Sequence, residues 1–366
     1  ELPYHHPPLS KDFLSGSKKF EEILLRPASV YDDAKIDLKL KTRVTKIDRA
    51  LKTVTTCTGE TLSYDRLILA TGARVRKPPI PGADNPRVLY LRNAADVRRI
   101  KSEIPNAKCA VIIGGGYIGL ETAASLRKLG MEVTVLEAME RILQRVTAPI
   151  MSDFYRRIHT QEGVVISENE FASSISETKN SLVVNTKSGK SYSADFVIIG
   201  IGVIPNTDLA ETAGLEVGNG IKVNEYCLTN DLNVYAIGDV TWHHNPIYDQ
   251  YLRLESVPNA TEQAKTAALH INGKGKPYNS VPWFWSDQFD LKLQIAGLST
   301  GYDEIIIRGD HENDRTFAAF YFKNNRFIAV DSVNNPRAFM FSKRVLTNGQ
   351  NLNRKQLGNV DNDLKS

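Results

Sequence analysis

Three glycines and one glutamate have the residue types and the spacing to bind a dinucleotide. Gly114, Gly116 and Gly119 follow the pattern G-x-G-x-x-G, and Glu137 stands 23 residues after the first glycine. In this pattern the first glycine allows a tight turn, the second lets the backbone approach a pyrophosphate, and the third lets helix and strand pack closely. A carboxylate at the end of the next strand accepts the hydroxyls of the adenosine ribose. These four residues are therefore predicted to hold a dinucleotide.

The residues around the glycines predict the elements that this motif needs. Residues 110–113 form a short apolar run typical of a buried strand, residues 117–129 carry an apolar helical face, and residues 132–136 predict a second strand. The N-terminus of such a helix attracts phosphate. A bare G-x-G-x-x-G also occurs in turns that are merely rich in glycine, but the complete set of elements favours a dinucleotide site.

Composition bounds the class of protein. The chain has 366 residues, of which 42% are hydrophobic and 24% charged, which is typical of a globular protein of two or three domains. The longest apolar run, residues 196–204, is too short to span a bilayer, so no membrane partner is expected. A net charge of +4 without basic stretches interleaved with aromatic residues argues against nucleic acid. The three cysteines form no C-x-x-C pair and suit a reducing compartment, so we expect a cytoplasmic protein, with no predicted metal ligands.

The remaining pattern alternates between short strands and turns. The predicted strands before residue 93 are 37–46, 53–58, 61–64 and 65–70. Residues 195–204 predict one buried strand, and residues 283–366 predict a small α+β domain with strands at 293–296, 304–308, 316–322 and 326–330 and a helix at 336–346.

Three single residues can be interpreted on these grounds, one of them in two ways. Asp239 follows a predicted strand at 234–237, where it could accept hydrogen bonds from ribityl or ribose hydroxyls or equally cap a helix. Lys11 ends a proline-rich loop and, taken alone, is a solvated cation. Ser10 before it could cap a following helix.

Seven motifs in a fixed order resemble one family. They are Pro3-Tyr4 with Pro7-Pro8-Leu9-Ser10-Lys11, Ala70-Thr-Gly72, Tyr90-Leu-Arg92, the GGGYIGLE run at 114–121, Thr229 with Tyr-Ala-Ile-Gly-Asp239, Glu255-Ser-Val-Pro-Asn259 and Pro282-Trp-Phe-Trp-Ser-Asp287. Together they look like the ferredoxin reductases of oxygenase systems, and the resemblance covers essentially the whole chain.

The resemblance implies an α/β fold with two Rossmann-like dinucleotide-binding domains, one for FAD and one for NAD as in glutathione reductase, followed by a C-terminal α+β domain. Residues 1–92 and 216–282 would form the FAD-binding domain, residues 93–215 the NAD-binding domain, and residues 283–366 the reductase domain. The family begins with its own strand, G-x-G-x-x-G and helix for the FAD pyrophosphate. This first βαβ unit is missing here, so we expect an N-terminally incomplete sequence.

The resemblance also implies an activity and its groups. A hydride would pass from NADH to FAD, and single electrons would then pass to a [2Fe–2S] ferredoxin that serves an oxygenase; the enzyme would be a monomer or a homodimer. Lys11 and Glu121 would be the catalytic pair beside the flavin N5. The expected FAD contacts are Lys11, Val44, Arg92, Asp239, Val257 and, near the flavin ring, Trp285.

One further departure and three alternatives accompany this interpretation. His6 stands where the family commonly has arginine, so one phosphate contact would be weakened or pH-dependent. A disulfide or peroxide reductase on the same fold would need a redox cysteine beside the flavin, and no cysteine precedes Cys57. A non-enzymatic flavoprotein similar to apoptosis-inducing factor is a second alternative, and a partial chain that cannot hold FAD is a third. Arg337, Lys343 and Arg344 are candidates for a basic rim that meets the ferredoxin, or are solvated charges on a helix face.

Overall fold

A parallel five-stranded sheet carries the predicted nucleotide motif. The computed structural model describes residues 1–350, 352 and 354–364. The strands of this nucleotide sheet, in spatial order, are Val88–Tyr90, Phe196–Ile199, Cys109–Ile113, Glu132–Leu136 and Val164–Ser167. The strand, helix and second strand that the sequence predicts are confirmed, since Cys109–Ile113 is followed by the helix Tyr117–Lys128 and by Glu132–Leu136.

The single buried strand expected at 195–204 is wrong. Phe196–Ile199 pairs within the nucleotide sheet, whereas Val203–Pro205 pairs antiparallel with Ala73–Val75 in another sheet. The chain turns between the two strands at Gly202, whose φ of 101° favours glycine over residues with a side chain. The glycines inside the apolar run therefore mark a break that periodicity alone does not show.

Two strands pair with a strand on the other side of an expected domain limit. Val88–Tyr90 precedes residue 93 but pairs with Phe196–Ile199 in the nucleotide sheet. Val203–Pro205 precedes residue 215 but pairs with a strand of the first 92 residues. The division into domains stays a prediction. These pairings favour moving the two limits of the NAD-binding domain, 93 and 215, to about residues 87 and 201.

The expected strand at 37–46 is mostly wrong, because only its last residues enter a sheet. The antiparallel sheet here comprises Val44–Asp48, Thr53–Thr56 and Thr61–Ser63, so the hairpin around Gly59 is confirmed. Residues 37–43 alternate in polarity, but the strand Thr53–Thr56 is too short to pair with them. The strand expected at 65–70 is shorter, Leu67–Leu69, and its Ile68 is 38% exposed.

The C-terminal sheet is antiparallel, and its strands in spatial order are Trp283–Gln288, Leu291–Gly297, Arg326–Val333, Phe317–Lys323 and Glu304–Gly309. The helix Pro336–Thr347 packs its apolar face, which includes Phe339 and Val345, against this sheet. The predicted α+β unit is confirmed, and Trp283–Gln288 is an additional strand that the prediction lacked.

The other elements connect these sheets. The α-helices not yet given are Asp12–Ser15, Ala28–Asp33, Ala94–Glu103, Pro149–Gln161, Asp208–Thr212, Val257–Ile271 and Arg354–Leu357, and the 3₁₀ helices are Pro7–Ser10, Phe20–Ile23, Ile104–Asn106 and Gly238–Val240. The remaining strands are Ala172–Glu177, Leu182–Thr186, Ser191–Ala194, Val217–Gly218, Gly220–Val223, Val234–Ala236, Thr241–Asn245 and Gln250–Leu252. Within the described part of the chain, no helix is long and apolar enough to cross a membrane.

Candidate functional site

The three glycines of the motif meet different surroundings. A Cβ added at Gly119 would lie 2.0 Å from the carbonyl oxygen of Gly114, so only glycine lets the helix pack this close to the loop. Gly114 has a φ of 115°, and a Cβ there would lie 2.4 Å from the oxygen of Gly200. A Cβ at Gly116 would meet no atom within 4 Å among the described residues. The backbone at the start of the helix is therefore open to an approaching pyrophosphate, which fits a bound dinucleotide.

Glu137 joins the end of its strand to the glycine loop. Its carboxylate accepts hydrogen bonds from the backbone N–H of Gly115 at 2.7 Å and of Met139 at 2.8 Å. A carboxylate offers about four lone pairs, so it can also accept ribose hydroxyls. Arg141 nearby is already engaged, because its guanidinium donates to the hydroxyl of Ser152 at 2.6 Å and to the carbonyl oxygen of Thr147 at 2.9 Å.

Lys11 and Glu121 form an ion pair, with 2.6 Å between Nζ and Oε2. The side chain of Lys11 is 17% exposed and that of Glu121 is 3% exposed, so the interpretation of Lys11 as a solvated cation is wrong. The expected cap by Ser10 is also wrong, because its hydroxyl donates to Oε2 of Glu121 at 2.6 Å instead. An ionised carboxylate in a dry site is stable only when it is paired and hydrogen-bonded, which these contacts provide.

Three separate segments of the chain position this pair. Lys11 directly follows the 3₁₀ helix Pro7–Ser10, whose Ser10 carbonyl accepts a hydrogen bond from Ser125 of the glycine-loop helix at 2.6 Å. Glu121 lies on that same helix, Tyr117–Lys128. Ser286 of the C-terminal sheet donates to the other carboxylate oxygen, Oε1, at 2.6 Å.

Arg92 and Asp239 meet at the C-terminal end of the strand Val234–Ala236. The guanidinium of Arg92 donates to the carboxylate of Asp239 at 3.1 Å, and both side chains are partly exposed. Burial and the charge of Arg92 lower the pKa of the nearby His6, while the charge of Asp239 opposes this. Its ring stacks on Tyr4 at 5.4 Å between centroids. A cation and an acid at the end of a parallel strand fit the phosphate and hydroxyls of a bound FAD.

The other expected FAD residues lie on separate elements. Val44 begins the strand Val44–Asp48, and Val257 begins the helix Val257–Ile271 and is 40% exposed. Trp285 is half-buried in the strand Trp283–Gln288, and its ring lies 5.7 Å from that of Trp283. No hydrogen bond or ring contact in the described chain joins Val44, Val257 and Trp285 to one another, so their shared role stays a prediction.

Sequence patterns did not single out Ser286, or Gln288 and His159 behind it. Ser286 and Gln288 are buried at alternate positions of an aromatic-rich strand. Two buried polar residues on one face of a strand are the available signal, because each needs a hydrogen-bond partner.

The described cysteines lie apart from this site. Cys57 is exposed, Cys227 is buried against Tyr235, and Cys109 begins its strand at the end away from the glycine loop. In the described ranges no three histidine, cysteine, aspartate or glutamate residues are placed to hold a metal ion.

An open glycine loop at the start of a helix, an ion pair between Glu121 of that helix and Lys11, and a second ion pair at the end of a parallel strand are the features expected of a two-dinucleotide oxidoreductase. Comparison with known proteins agrees, since the family model for pyridine nucleotide-disulphide oxidoreductases matches residues 1–264 and that for the reductase C-terminal domain matches residues 283–366. The chain belongs to this oxidoreductase family and, within it, to the ferredoxin reductases.

Individual relatives match along the entire chain. Rhodocoxin reductase of Rhodococcus erythropolis is 42% identical over 365 residues, which cover 100% of this chain and 85% of the relative. Putidaredoxin reductase of Pseudomonas putida is 42% identical over 373 residues, which cover 100% of this chain and 87% of the relative. The crystal structure of a covalent putidaredoxin reductase–putidaredoxin complex matches with a TM-score of 0.96 at 40% identity, covering 100% of this chain and 88% of that one.

Proposed function

We propose that this protein is an FAD-dependent reductase that takes a hydride from NADH and delivers single electrons to a [2Fe–2S] ferredoxin of an oxygenase system. One observation carries the proposal. The helix Tyr117–Lys128 begins at the open glycine loop and, about one turn later, presents Glu121 paired with Lys11. The same rigid element would thus hold the pyrophosphate of NADH and position the charged pair at the reacting end.

The residues divide between the two cofactors. Gly114, Gly116, Gly119 and Glu137 would hold NADH, as their surroundings permit. Lys11, Val44, Arg92, Asp239, Val257 and Trp285 would hold FAD. The chemistry that FAD supplies is acceptance of a hydride followed by release of single electrons.

The chain contributes charge and position. Negative charge arrives at the reaction centre with the hydride, and the Lys11 ammonium can stabilise it there, as preorganised charges do in a dry site. Glu121 keeps the ammonium in place through the 2.6 Å ion pair. Lys11 also donates to the carbonyl oxygen of Pro7 at 3.2 Å, which limits its movement away from the pair.

The cofactor preference is for NADH over NADPH. The carboxylate of Glu137 would accept the ribose hydroxyl and repel a 2′-phosphate. Arg141 is held by Ser152 and by carbonyl oxygens of its own loop and is therefore not free to bind that phosphate. We expect kcat/KM with NADH to exceed that with NADPH, and we expect Arg141→Lys to leave the ratio unchanged. Equal kcat/KM values for the two cofactors would contradict this assignment.

An acidic ferredoxin is the proposed partner. The relative in the matching crystal structure is bound to putidaredoxin. In this chain Arg337 and Arg344 are exposed on the helix Pro336–Thr347, and Lys343 lies over the ring of Trp283 at 4.4 Å. This places positive charge next to the aromatic pair of Trp283 and Trp285. The proposal includes a reducing, cytoplasmic location, which suits three free cysteines, and a monomer or homodimer.

The test first measures FAD binding from the flavin absorbance of the purified protein, and then anaerobic turnover of the FAD-loaded protein with NADH and a purified [2Fe–2S] ferredoxin. Reduction of the ferredoxin, with no turnover of disulfides or peroxides, supports the proposal. Turnover of a disulfide or peroxide without ferredoxin reduction would favour the disulfide reductase alternative. An FAD-loaded protein that reduces none of these acceptors would favour a non-enzymatic flavoprotein.

A further inference from the structure

The carboxylate of Glu121 is held on both of its oxygens. Oε2 accepts from Lys11 and from Ser10, each at 2.6 Å, and Oε1 accepts from Ser286, also at 2.6 Å. Ser286 is fully buried, so its hydroxyl has no access to water. We name this arrangement of Ser10, Lys11 and Ser286 around Glu121 the carboxylate clamp.

A row of buried hydrogen bonds sets the direction of the Ser286 hydroxyl. The amide nitrogen of Gln288 donates to Oγ of Ser286 at 3.0 Å. A serine hydroxyl has one proton, so a serine that accepts from Gln288 gives that proton to Glu121.

The same row continues to His159. Nε2 of His159 lies 2.8 Å from Oε1 of Gln288, and an amide oxygen can only accept, so the imidazole donates to it. Burial lowers the pKa of His159 to about 4, so the ring is neutral at neutral pH. Its one proton then lies on Nε2, because that nitrogen faces the accepting oxygen of Gln288. His159, Gln288 and Ser286 therefore each donate a hydrogen bond in the direction of Glu121.

Removing the Ser286 hydroxyl would leave Oε1 buried without this donor. Hydrogen bonds to an ionised group are among the stronger ones in proteins, and a buried charge that loses a partner is destabilised. The carboxylate would then be free to rotate so that both of its oxygens face Lys11. The ammonium would no longer be held in one position.

We propose that Ser286 is a positioning residue for hydride transfer. By fixing Glu121 it fixes Lys11, so the strand Trp283–Gln288 controls the reaction centre as well as carrying Trp285. This inference rests on the proposed function of the Lys11–Glu121 pair. It predicts that the rate of flavin reduction depends on a hydroxyl at position 286, although that hydroxyl contacts neither proposed cofactor site directly.

The test compares Ser286→Val with Ser286→Thr, which have the same shape and differ only in the hydroxyl. Stopped-flow reduction of the FAD-loaded protein by NADH gives both the rate and the dissociation constant of NADH. We expect the valine variant to be about tenfold slower than the threonine variant, as for one lost hydrogen bond to a charged group. We expect the two dissociation constants of NADH to agree within about twofold, because the nucleotide loop is untouched.

A second measurement does not depend on activity. Urea unfolding of Ser286→Val, Glu121→Gln and the double variant should give effects on the unfolding equilibrium constant that are non-additive by about tenfold. Ser342→Ala is the control, since Ser342 is a buried serine near the same sheet whose hydroxyl has no partner among the described residues. It should change neither the reduction rate nor the coupling.

The outcomes separate this inference from the proposed function. Equal reduction rates for the valine and threonine variants, with a rapidly reduced wild type, would overturn the role of Ser286 and leave the proposed function intact. Additive effects in the unfolding cycle, or a loss confined to NADH affinity, would overturn it in the same way. A wild-type protein whose bound FAD is not reduced by NADH would overturn both.

Discussion

The glycine loop and the carboxylate clamp are neighbouring regions that are assembled in different ways. In the loop the main contacts join residues of one strand–helix–strand unit, as when Glu137 accepts from Gly115. In the clamp Glu121 accepts from residues 111 and 165 positions away, Ser10 and Ser286. The first region is specified locally, and the second exists only when three segments have folded together.

This difference decides what a substitution does. A change in the loop meets backbone atoms at fixed distances, so sterics determine its effect. A change in the clamp alters a charge or a hydroxyl whose partners come from other segments, so it acts on the position of those partners. Four predictions follow from this contrast, beginning with the largest expected effect.

The largest effect is expected at Gly119. Alanine at this position would place Cβ, on the helix Tyr117–Lys128, 2.0 Å from the backbone carbonyl oxygen of Gly114 in the packed loop. Gly119→Ala should lower the free energy of unfolding by roughly 3–5 kcal/mol, as for severe overpacking. Urea unfolding monitored by circular dichroism measures it.

Gly116→Ala is the matched control within the same motif. It introduces the same methyl group where no described atom lies within 4 Å, and the φ of Gly116 is −78°. Its free energy of unfolding should change by no more than about 1 kcal/mol, while NADH binding weakens because the methyl group occupies the approach to the pyrophosphate. Similar losses of stability in the two variants would show that the loop is not limited by local sterics.

The second prediction concerns the clamp. Lys11→Met should slow flavin reduction by NADH by roughly tenfold to a thousandfold, or about 1–4 kcal/mol, because an electrostatic stabiliser is lost. NADH binding should weaken much less. Lys18→Met is the control, since Lys18 forms its ion pair with Asp12 on the exposed surface. An unchanged reduction rate in Lys11→Met would show that the buried pair is only structural.

Predictability from the sequence follows the same contrast. The glycine loop and Glu137 could be assigned because spacing, turn chemistry and strand pattern all act within about 30 residues. The two interpretations of Asp239 could not be separated by composition, because only the fold brings it to Arg92. Ser286 was not predicted, since its importance depends on a helix of distant sequence. The errors at residues 37–43 and 200–202 have a related cause. At 37–43 the alternating pattern has no strand to pair with, and at 200–202 a glycine turn interrupts the apolar run.

The third prediction concerns a buried acid where the loop before Pro149–Gln161 meets the C-terminal sheet. Asp331 accepts hydrogen bonds from Thr147 at 2.6 Å and from Tyr321 at 2.7 Å, and burial raises its pKa to about 6. Tyr117 and Tyr155 also face this region, and burial raises the pKa of each phenol well above its usual value. The carboxyl group therefore ionises in the folded protein only near pH 6.

The number of protons bound in the folded and unfolded states decides how Asp331 makes stability change with pH. An unfolded aspartate has a pKa of about 3.9, so the folded protein binds more protons between about pH 4 and 6. This contribution to stability is therefore lost as the pH rises through that window. Asp331→Asn should stabilise the protein relative to wild type by on the order of 1–3 kcal/mol more at pH 7.5 than at pH 4.

Urea unfolding of both proteins at the two pH values measures this difference. Burial lowers the pKa of His159 and His243 to about 4, which makes stability rise with pH between about 4 and 6.5. This opposite trend is common to wild type and variant and cancels in the comparison. A difference between the two proteins that does not change with pH would show that Asp331 ionises normally.

The smallest effect is expected at the proposed ferredoxin rim, where the side chains are exposed. A substitution there neither clashes with the backbone nor removes a buried charge. Arg337 has a side chain that is 80% exposed and lies 3.4 Å from Asp363, and exposed charges contribute mainly to the rate of association. Arg337→Glu should lower kcat/KM for an acidic ferredoxin by about two- to fivefold at low salt, and the difference should vanish as ionic strength rises. Lys46→Glu makes the same change of charge at an exposed position on the strand Val44–Asp48 and should have little effect. A wild-type rate that is insensitive to ionic strength, or equal losses in the two variants, would mean that the helix Pro336–Thr347 carries ordinary solvated charges and that the partner is selected elsewhere.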